Sequence, residues 1–232
     1  MKALEGKVAL ITGAKGGLGT FVSEAFLAEG ARVAGVSRSI QASDFVHPDF
    51  SAMPAELLSG EAARKLAEAM VARFGRIDAL VHVMGGFTGG KSIAETDDAT
   101  LEQMLDLNYR AAFFIARAVL PQMRLQGNGR ILAVASRQAV EPGAMVGAYS
   151  ASKAALVALV RTIALENQDR GISANSVLPG TMDTPANRAG DPAADRSRWV
   201  QPAQVAALLV HLASDAGASI TGAAIPVYGR QL

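Results

Sequence analysis

Short apolar runs alternate with longer segments in which apolar positions recur every three or four residues. Lys7–Thr12 ("KVALIT") reads as a buried strand, followed by glycines and a helix over Thr20–Glu29. Arg32–Ser37 ("RVAGVS") reads as a second strand. Glu61–Phe74 is helical, with Leu66, Ala69, Met70 and Phe74 on one face. Ala79–Met84 ("ALVHVM") and Ile131–Ser136 ("ILAVAS") are further strands, and Thr100–Met123 and Tyr149–Asn167 are long helical patterns. Ile172–Leu178 and Ala224–Val227 supply the last strands around a helix at Pro202–Ala213. Helical periods between short apolar runs predict βαβ units, hence an α/β fold with a Rossmann-type, doubly wound parallel sheet. Ser39–Ser59 holds only a weak strand, Phe45–Phe50, and Thr184–Gln201 is a polar segment of the kind that carries function on a rigid scaffold.

Composition narrows this picture. The 232 residues (1–232) are expected to form a single domain with a substantial core. Half are hydrophobic and the net charge is only +1, with Lys and Arg scattered, so nothing favours nucleic acid or an anionic membrane as a partner. There are no cysteines, which excludes disulfides and thiolate chemistry, and His47, His82 and His211 are isolated, so no metal is expected. No signal peptide is evident, and Arg117 and Arg161 interrupt the longest apolar runs. A cytoplasmic location is the resulting expectation.

Two motifs carry chemistry. "ITGAKGGLGTF" leaves the first strand and opens the first helix, with the spacing Gly13-x-x-x-Gly17-x-Gly19. Glycines there permit a tight turn and close approach to a pyrophosphate, which the free N–H groups of a helix N-terminus attract. In "GAYSASKAALV", Tyr149 and Lys153 stand four apart and share a helix face. Alone, such a pair reads as a packed tyrosine and a snorkelling lysine.

Together, Thr12-Gly13-x-x-x-Gly17-x-Gly19 and Tyr149-x-x-x-Lys153 resemble the short-chain dehydrogenase/reductase family. The resemblance runs over nearly the whole chain. It includes Asn108 in a long helix, Ser136 thirteen positions before the tyrosine, Leu178-Pro179-Gly180 and the closing "SITGAAIPV". It implies an oxidoreductase that moves a hydride between a nicotinamide dinucleotide and a small carbonyl or alcohol. Tyr149 would be the general acid/base, Ser136 would orient the carbonyl, and Asn108 would hold a water linking Lys153 to solvent. It further implies that Lys153 holds the nicotinamide ribose, that Thr184 contacts the carboxamide, and that Thr12, Leu18, Gly85, Pro179 and Gly180 border the cofactor. A neighbouring ammonium favours the phenolate, so Lys153 is expected to lower the pKa of Tyr149.

Cofactor choice is read at the end of the second strand, where an acid favours NAD(H) and an arginine the 2′-phosphate of NADP(H). Here Val36-Ser37-Arg38-Ser39 has no acid, and Lys15 adds a cation, so NADP(H) is expected over NAD(H). Asp49, placed at the end of the third strand, is the candidate adenine contact.

The chain also departs from the family pattern. Where Asn-Asn-Ala-Gly is common it has His82-Val83-Met84-Gly85, and His82 either replaces an asparagine or packs in the sheet. "GGFTGG" (Gly85–Gly90), "LPGTMDTPANR" (Leu178–Arg188) and Trp199 are similar to dihydropteridine reductases, which leaves quinonoid pterin reduction as an alternative. Phe87 and Trp199 either stack on a flat substrate or pack a lid. A non-catalytic, dinucleotide-binding regulator is a further alternative, which the full set Asn108, Ser136, Tyr149 and Lys153 disfavours. The family also implies a homo-oligomer, dimer or tetramer, packed through the two long helices.

Overall fold

Val8–Thr12 (β1) is buried at every position, as a central strand covered on both faces must be. The computed structural model, which describes residues 2–230, places β1 in a seven-stranded sheet. Its companions are Arg32–Val36 (β2), Phe50–Ala52 (β3), Ala79–His82 (β4), Gly129–Val134 (β5), Ile172–Pro179 (β6) and Ala224–Val227 (β7). The order is β3-β2-β1-β4-β5-β6-β7, and every pairing is parallel. The chain winds outward in both directions from β1, so a crevice opens at the carboxyl ends of β1 and β4. This is the expected Rossmann-type architecture.

Side-chain alternation splits the core into two layers. Val8 and Leu10 of β1 pack with residues of Gly60–Phe74 (α2), Ala111–Gln126 (α4) and Gly147–Glu166 (α5). Ala9 and Ile11 pack on the opposite face with Gly19–Ala28 (α1) and Pro202–Ala213 (α7). At 20 residues, α5 is long and apolar enough to cross a membrane by length and composition, which the broken apolar runs had not led one to expect. Its Leu156, Val160 and Ile163 nevertheless lie in the core against the sheet.

Two local expectations are corrected. The third strand is Phe50–Ala52 rather than Phe45–Phe50, because Phe45 turns its ring onto Phe50, with centroids 4.6 Å apart. The helix expected over Thr100–Met123 comprises Asp98–Leu105 (α3), a π-helical turn at Asp106–Arg110 and α4. The strands expected to end at Met84 and Ser136 stop at His82 and Val134, leaving the residues that follow to line the crevice.

Candidate active site

The glycine turn is shaped by contact. Gly13 has φ +71°, and a Cβ on it would stand 2.8 Å from the Met84 nitrogen. A Cβ on Gly19 would strike the Gly13 carbonyl, and one on Gly17 would press on Thr184 at 3.2 Å. Leu18 starts α1 with no side-chain cap and no acid in the first turn, leaving the positive end of the helix for an external anion. At the end of β2, the Ser37 hydroxyl is buried without a partner. An uncapped helix, a glycine cradle and an orphaned hydroxyl along one edge fit a dinucleotide.

Next to the turn, β1 and β4 are pinned together. Thr12 and His82 are register partners, and Thr12 Oγ1 lies 2.9 Å from His82 Nδ1. The Met84 N–H also reaches Thr12 Oγ1, at 3.4 Å. His82 thus takes a structural hydrogen bond at a position where the family often has asparagine. Burial, reinforced by the charge of Lys153, holds its pKa near about 3, so the imidazole is neutral. Its Nε2 has no partner.

Lys153 is 5% exposed, and its Nζ donates to the Val134 carbonyl at 2.9 Å, which fixes the ammonium under the end of β5. Desolvation lowers its pKa to about 8. Gly85 passes so close that a Cβ would stand 3.1 Å from this Nζ and 2.7 Å from Asn108 Oδ1. Only glycine lets the loop after β4 run between the two.

Asn108 sits fully buried in the π-helical turn, a distortion that often marks a functional position. Its Oδ1 accepts from the Gly86 N–H at 3.0 Å, while Nδ2 donates to the Gly86 carbonyl at 3.0 Å and to Ser152 Oγ at 3.1 Å. Ser152 in turn donates to the Tyr149 carbonyl at 2.7 Å. Both donors of the amide are therefore engaged inside the chain. The side chain thereby anchors the loop beside Lys153.

Ser136 lies close enough to the Tyr149 hydroxyl to lower its pKa. Ser136 also accepts from the Gln138 N–H at 3.2 Å, so it caps backbone and faces the tyrosine at once. The direction expected for Tyr149 is corrected here. Burial raises its pKa and outweighs the lowering by Ser136, and Lys153 is not among the causes. Lys153 is turned to the Val134 carbonyl, and a phenol out of water resists ionisation. Phe87 meets the Tyr149 ring at 78°, with centroids 5.0 Å apart.

The remaining expected residues divide by position. Pro179 ends β6, and the Gly180 N–H donates to the Val227 carbonyl, so both lie on the same carboxyl edge. Thr184 caps the short helix Pro185–Gly190 (α6) through the Asn187 N–H. A bridge between Met182 and Val200 then closes the segment that carries α6 and Trp199. Arg38 is exposed, with Glu56 3.8 Å away. Lys15 is bound to Asp44 at 2.8 Å, an acid of the short helix Ala42–Asp44. Lys15 and the Gln41 N–H hold the Asp44 carboxyl below its ordinary range. Asp49 precedes β3 and is exposed at the amino end of that strand. In a parallel sheet that end faces away from the crevice, so its placement as an adenine contact is corrected. Ala52 and Met53 occupy the carboxyl end instead, with the Met53 N–H bonded to the Gly35 carbonyl.

Sequence reasoning missed Asp44, Ser152 and the Val134 carbonyl. Ser152 stands inside the "YSASK" motif, so its spacing was available. The partnership of Lys15 with Asp44 has no local signal.

A doubly wound sheet with a glycine cradle at its switch point, and a tyrosine and lysine on the same edge, defines a dinucleotide-binding enzyme. Comparison with known proteins narrows the class. The family model for short chain dehydrogenase matches residues 7–194. A short chain dehydrogenase of Penicillium roqueforti is 31% identical over 249 residues, covering 98% of this chain and 97% of its own. The rhamnolipids-biosynthesis 3-oxoacyl-[acyl-carrier-protein] reductase of Pseudomonas aeruginosa is 32% identical over 248 residues, covering 98% and 96%. A solved short-chain dehydrogenase/reductase structure from Burkholderia xenovorans aligns with a TM-score of 0.92 at 30% identity, covering 99% and 97%. The chain belongs to the short-chain dehydrogenase family and is an oxidoreductase.

Proposed function

We propose that the protein is an NADP(H)-dependent carbonyl reductase whose proton donor is Tyr149. The observation that carries this reading is the convergence of Tyr149 and Ser136, close enough for the serine hydroxyl to act on the phenol, with a Lys153 fixed to the end of β5. NADPH, when bound, supplies the hydride. The chain's own groups do the rest: Ser136 and Tyr149 hold the carbonyl oxygen, the carbon receives the hydride, and the π-electron pair moves to oxygen. That oxygen takes the Tyr149 proton and becomes the alcohol hydroxyl. Burial raises the Tyr149 pKa, so the phenol carries the proton it would donate. Gly13, Gly17, Gly19 and Leu18 would hold the pyrophosphate, Ser37 and Arg38 the adenosine ribose and its phosphate, and Lys153 the nicotinamide ribose. Thr184, Pro179 and Gly180 would border the nicotinamide. Arg38, exposed beside the orphaned Ser37 hydroxyl, supports NADP(H); the Lys15–Asp44 pair narrows that margin.

We further infer a small-molecule substrate and a homo-oligomer packed through α4 and α5, which expose Phe113 and Leu165. Sedimentation checks the assembly. The reaction is tested by titrating both dinucleotides by fluorescence and following NADPH oxidation with a panel of ketones and quinonoid dihydropterin. Ketone-dependent oxidation with tighter NADPH than NADH binding is expected. Turnover of the pterin alone, or tighter NADH binding, would overturn the reading.

A further inference from the structure

Phe87 is an unusual neighbour for a proton donor. Its ring lies against Tyr149 yet is 66% exposed, so one side is packed and the other is open at the mouth of the crevice. It is also held in place. A Cβ on Gly89 would stand 3.0 Å from Phe87 Cζ and 2.9 Å from Val146 Cγ1, so the loop passes in close contact with the ring. The next residue, Gly90, donates its N–H to the Met145 carbonyl at 2.8 Å, tying the loop after β4 to the loop before α5. Met145 has φ +65°, the sole non-glycine at positive φ among the described residues, a conformation that tends to be kept where function requires it. Met145 is 45% exposed, and Ile93, whose Cδ1 abuts Gly147, is 74% exposed. Phe87 packs on the Tyr149 ring, and exposed Met145 and Ile93 lie on the same pair of tied loops, where a lone exposed apolar residue would mean little.

Charge around this mouth is neutralised within the chain. Lys91 pairs with Asp97 at 2.8 Å, Arg137 with Glu141 at 2.6 Å, and Arg188 with Asp183 at 2.6 Å. These three pairs carry no net charge that would favour an anionic substrate.

Resting on the carbonyl-reductase reading, we propose that Phe87 is the specificity wall of the site. The substrate is an uncharged ketone or aldehyde whose carbonyl is conjugated to a flat, unsaturated or aromatic group. With its oxygen at Tyr149 and Ser136, such a compound lays its plane within reach of the open side of Phe87. Offset or edge-on ring contacts reward this arrangement beyond plain burial. A saturated ring of the same size fills the space without that gain.

The test compares acetophenone with cyclohexyl methyl ketone, on the NADPH-saturated protein and its Phe87→Leu variant. Binding is read by ligand-observed NMR, and turnover by NADPH oxidation. The wild type should prefer acetophenone by about tenfold in both readouts. Phe87→Leu should erase the preference by raising the Kd and KM of acetophenone about tenfold relative to the cyclohexyl ketone, with the NADPH Kd within about twofold. Equal binding of the two ketones by the wild type, or an equal loss of both in the variant, overturns the proposal. A binding preference that Phe87→Leu removes, without turnover of either ketone, supports the wall and counts against the assigned proton transfer.

Discussion

Around α5 the candidate site side chains are buried, and two are tied by hydrogen bonds inside the chain: Lys153 to the Val134 carbonyl, and Asn108 to Gly86 and Ser152. At the end of β2 the charged groups stand in water. Arg38 has an 82% exposed side chain, and Lys15 and Asp44 are held by an ion pair with 43% and 20% exposure. The first region is preorganised, because moving any member would strand a polar group out of water. The second is adjustable, because exposed ion pairs contribute little and exchange readily. On the proposed function, chemistry is fixed where the chain is dry, and cofactor preference is set where it is wet.

Substitutions can break that contrast, and the largest effect belongs to the buried side. Tyr149→Phe removes only the donated proton, so turnover should fall by about 10²–10⁴-fold. The NADPH Kd, read by fluorescence, should stay within about twofold. Near-normal turnover would dissolve the distinction between the two regions.

Lys153→Met should also abolish most turnover and change how stability depends on pH. The folded pKa of about 8 lies below the ordinary 10.5, a difference on the order of 3 kcal/mol against the charged form. That cost is present below about pH 8 and is relieved as pH rises from there towards 10.5. The wild type should therefore gain stability as pH rises from about 8 towards 10.5, a gain that Lys153→Met removes. In the wild type, reduction should decline as pH rises through about 8, where the ammonium is lost. A pH-independent rate would detach Lys153 from the reaction.

His82 sharpens the same contrast through acid. Its folded pKa, near about 3, is depressed from 6.5, so its contribution is intact above 6.5. It is lost as pH falls towards 3, at up to about 1.4 kcal/mol per pH unit. His82→Asn keeps a partner for Thr12 and should flatten that acid limb in denaturant titrations; an unchanged limb would relocate the effect.

The smallest effects lie on the exposed side. Asp44→Asn frees Lys15 and should tighten NADPH binding about threefold, consistent with a surface pair worth under about 1 kcal/mol. Asp49→Asn, at the wrong end of β3, should leave both dinucleotide affinities unchanged in the same titration. A larger shift at Asp49 than at Asp44 would invert the assignment.

The legible parts of the chain were those with a local signature. β1, β2, β6, α5 and α7 follow from apolar runs and helical spacing, and the glycine turn and the Tyr149–Lys153 pair follow from spacing alone. β3 was misplaced because three residues give too short a pattern, and two phenylalanines nearby mimicked a strand. Asp49 then moved to the wrong end with it. The pKa of Tyr149 was misjudged because proximity along a helix was taken for electrostatic contact, whereas Lys153 is turned to a carbonyl of another element.

The order of residues alone determined a parallel α/β sheet and placed a tyrosine and a lysine on one helix face, since both depend on periods of two and 3.6 that neighbours carry themselves. Tertiary structure decided which partner each polar group took: Asp44 for Lys15, Val134 for Lys153, Ser136 for Tyr149, Thr12 for His82. Those partners come from separate elements, and both burial and charge act through space, so no reading of adjacent residues could assign them.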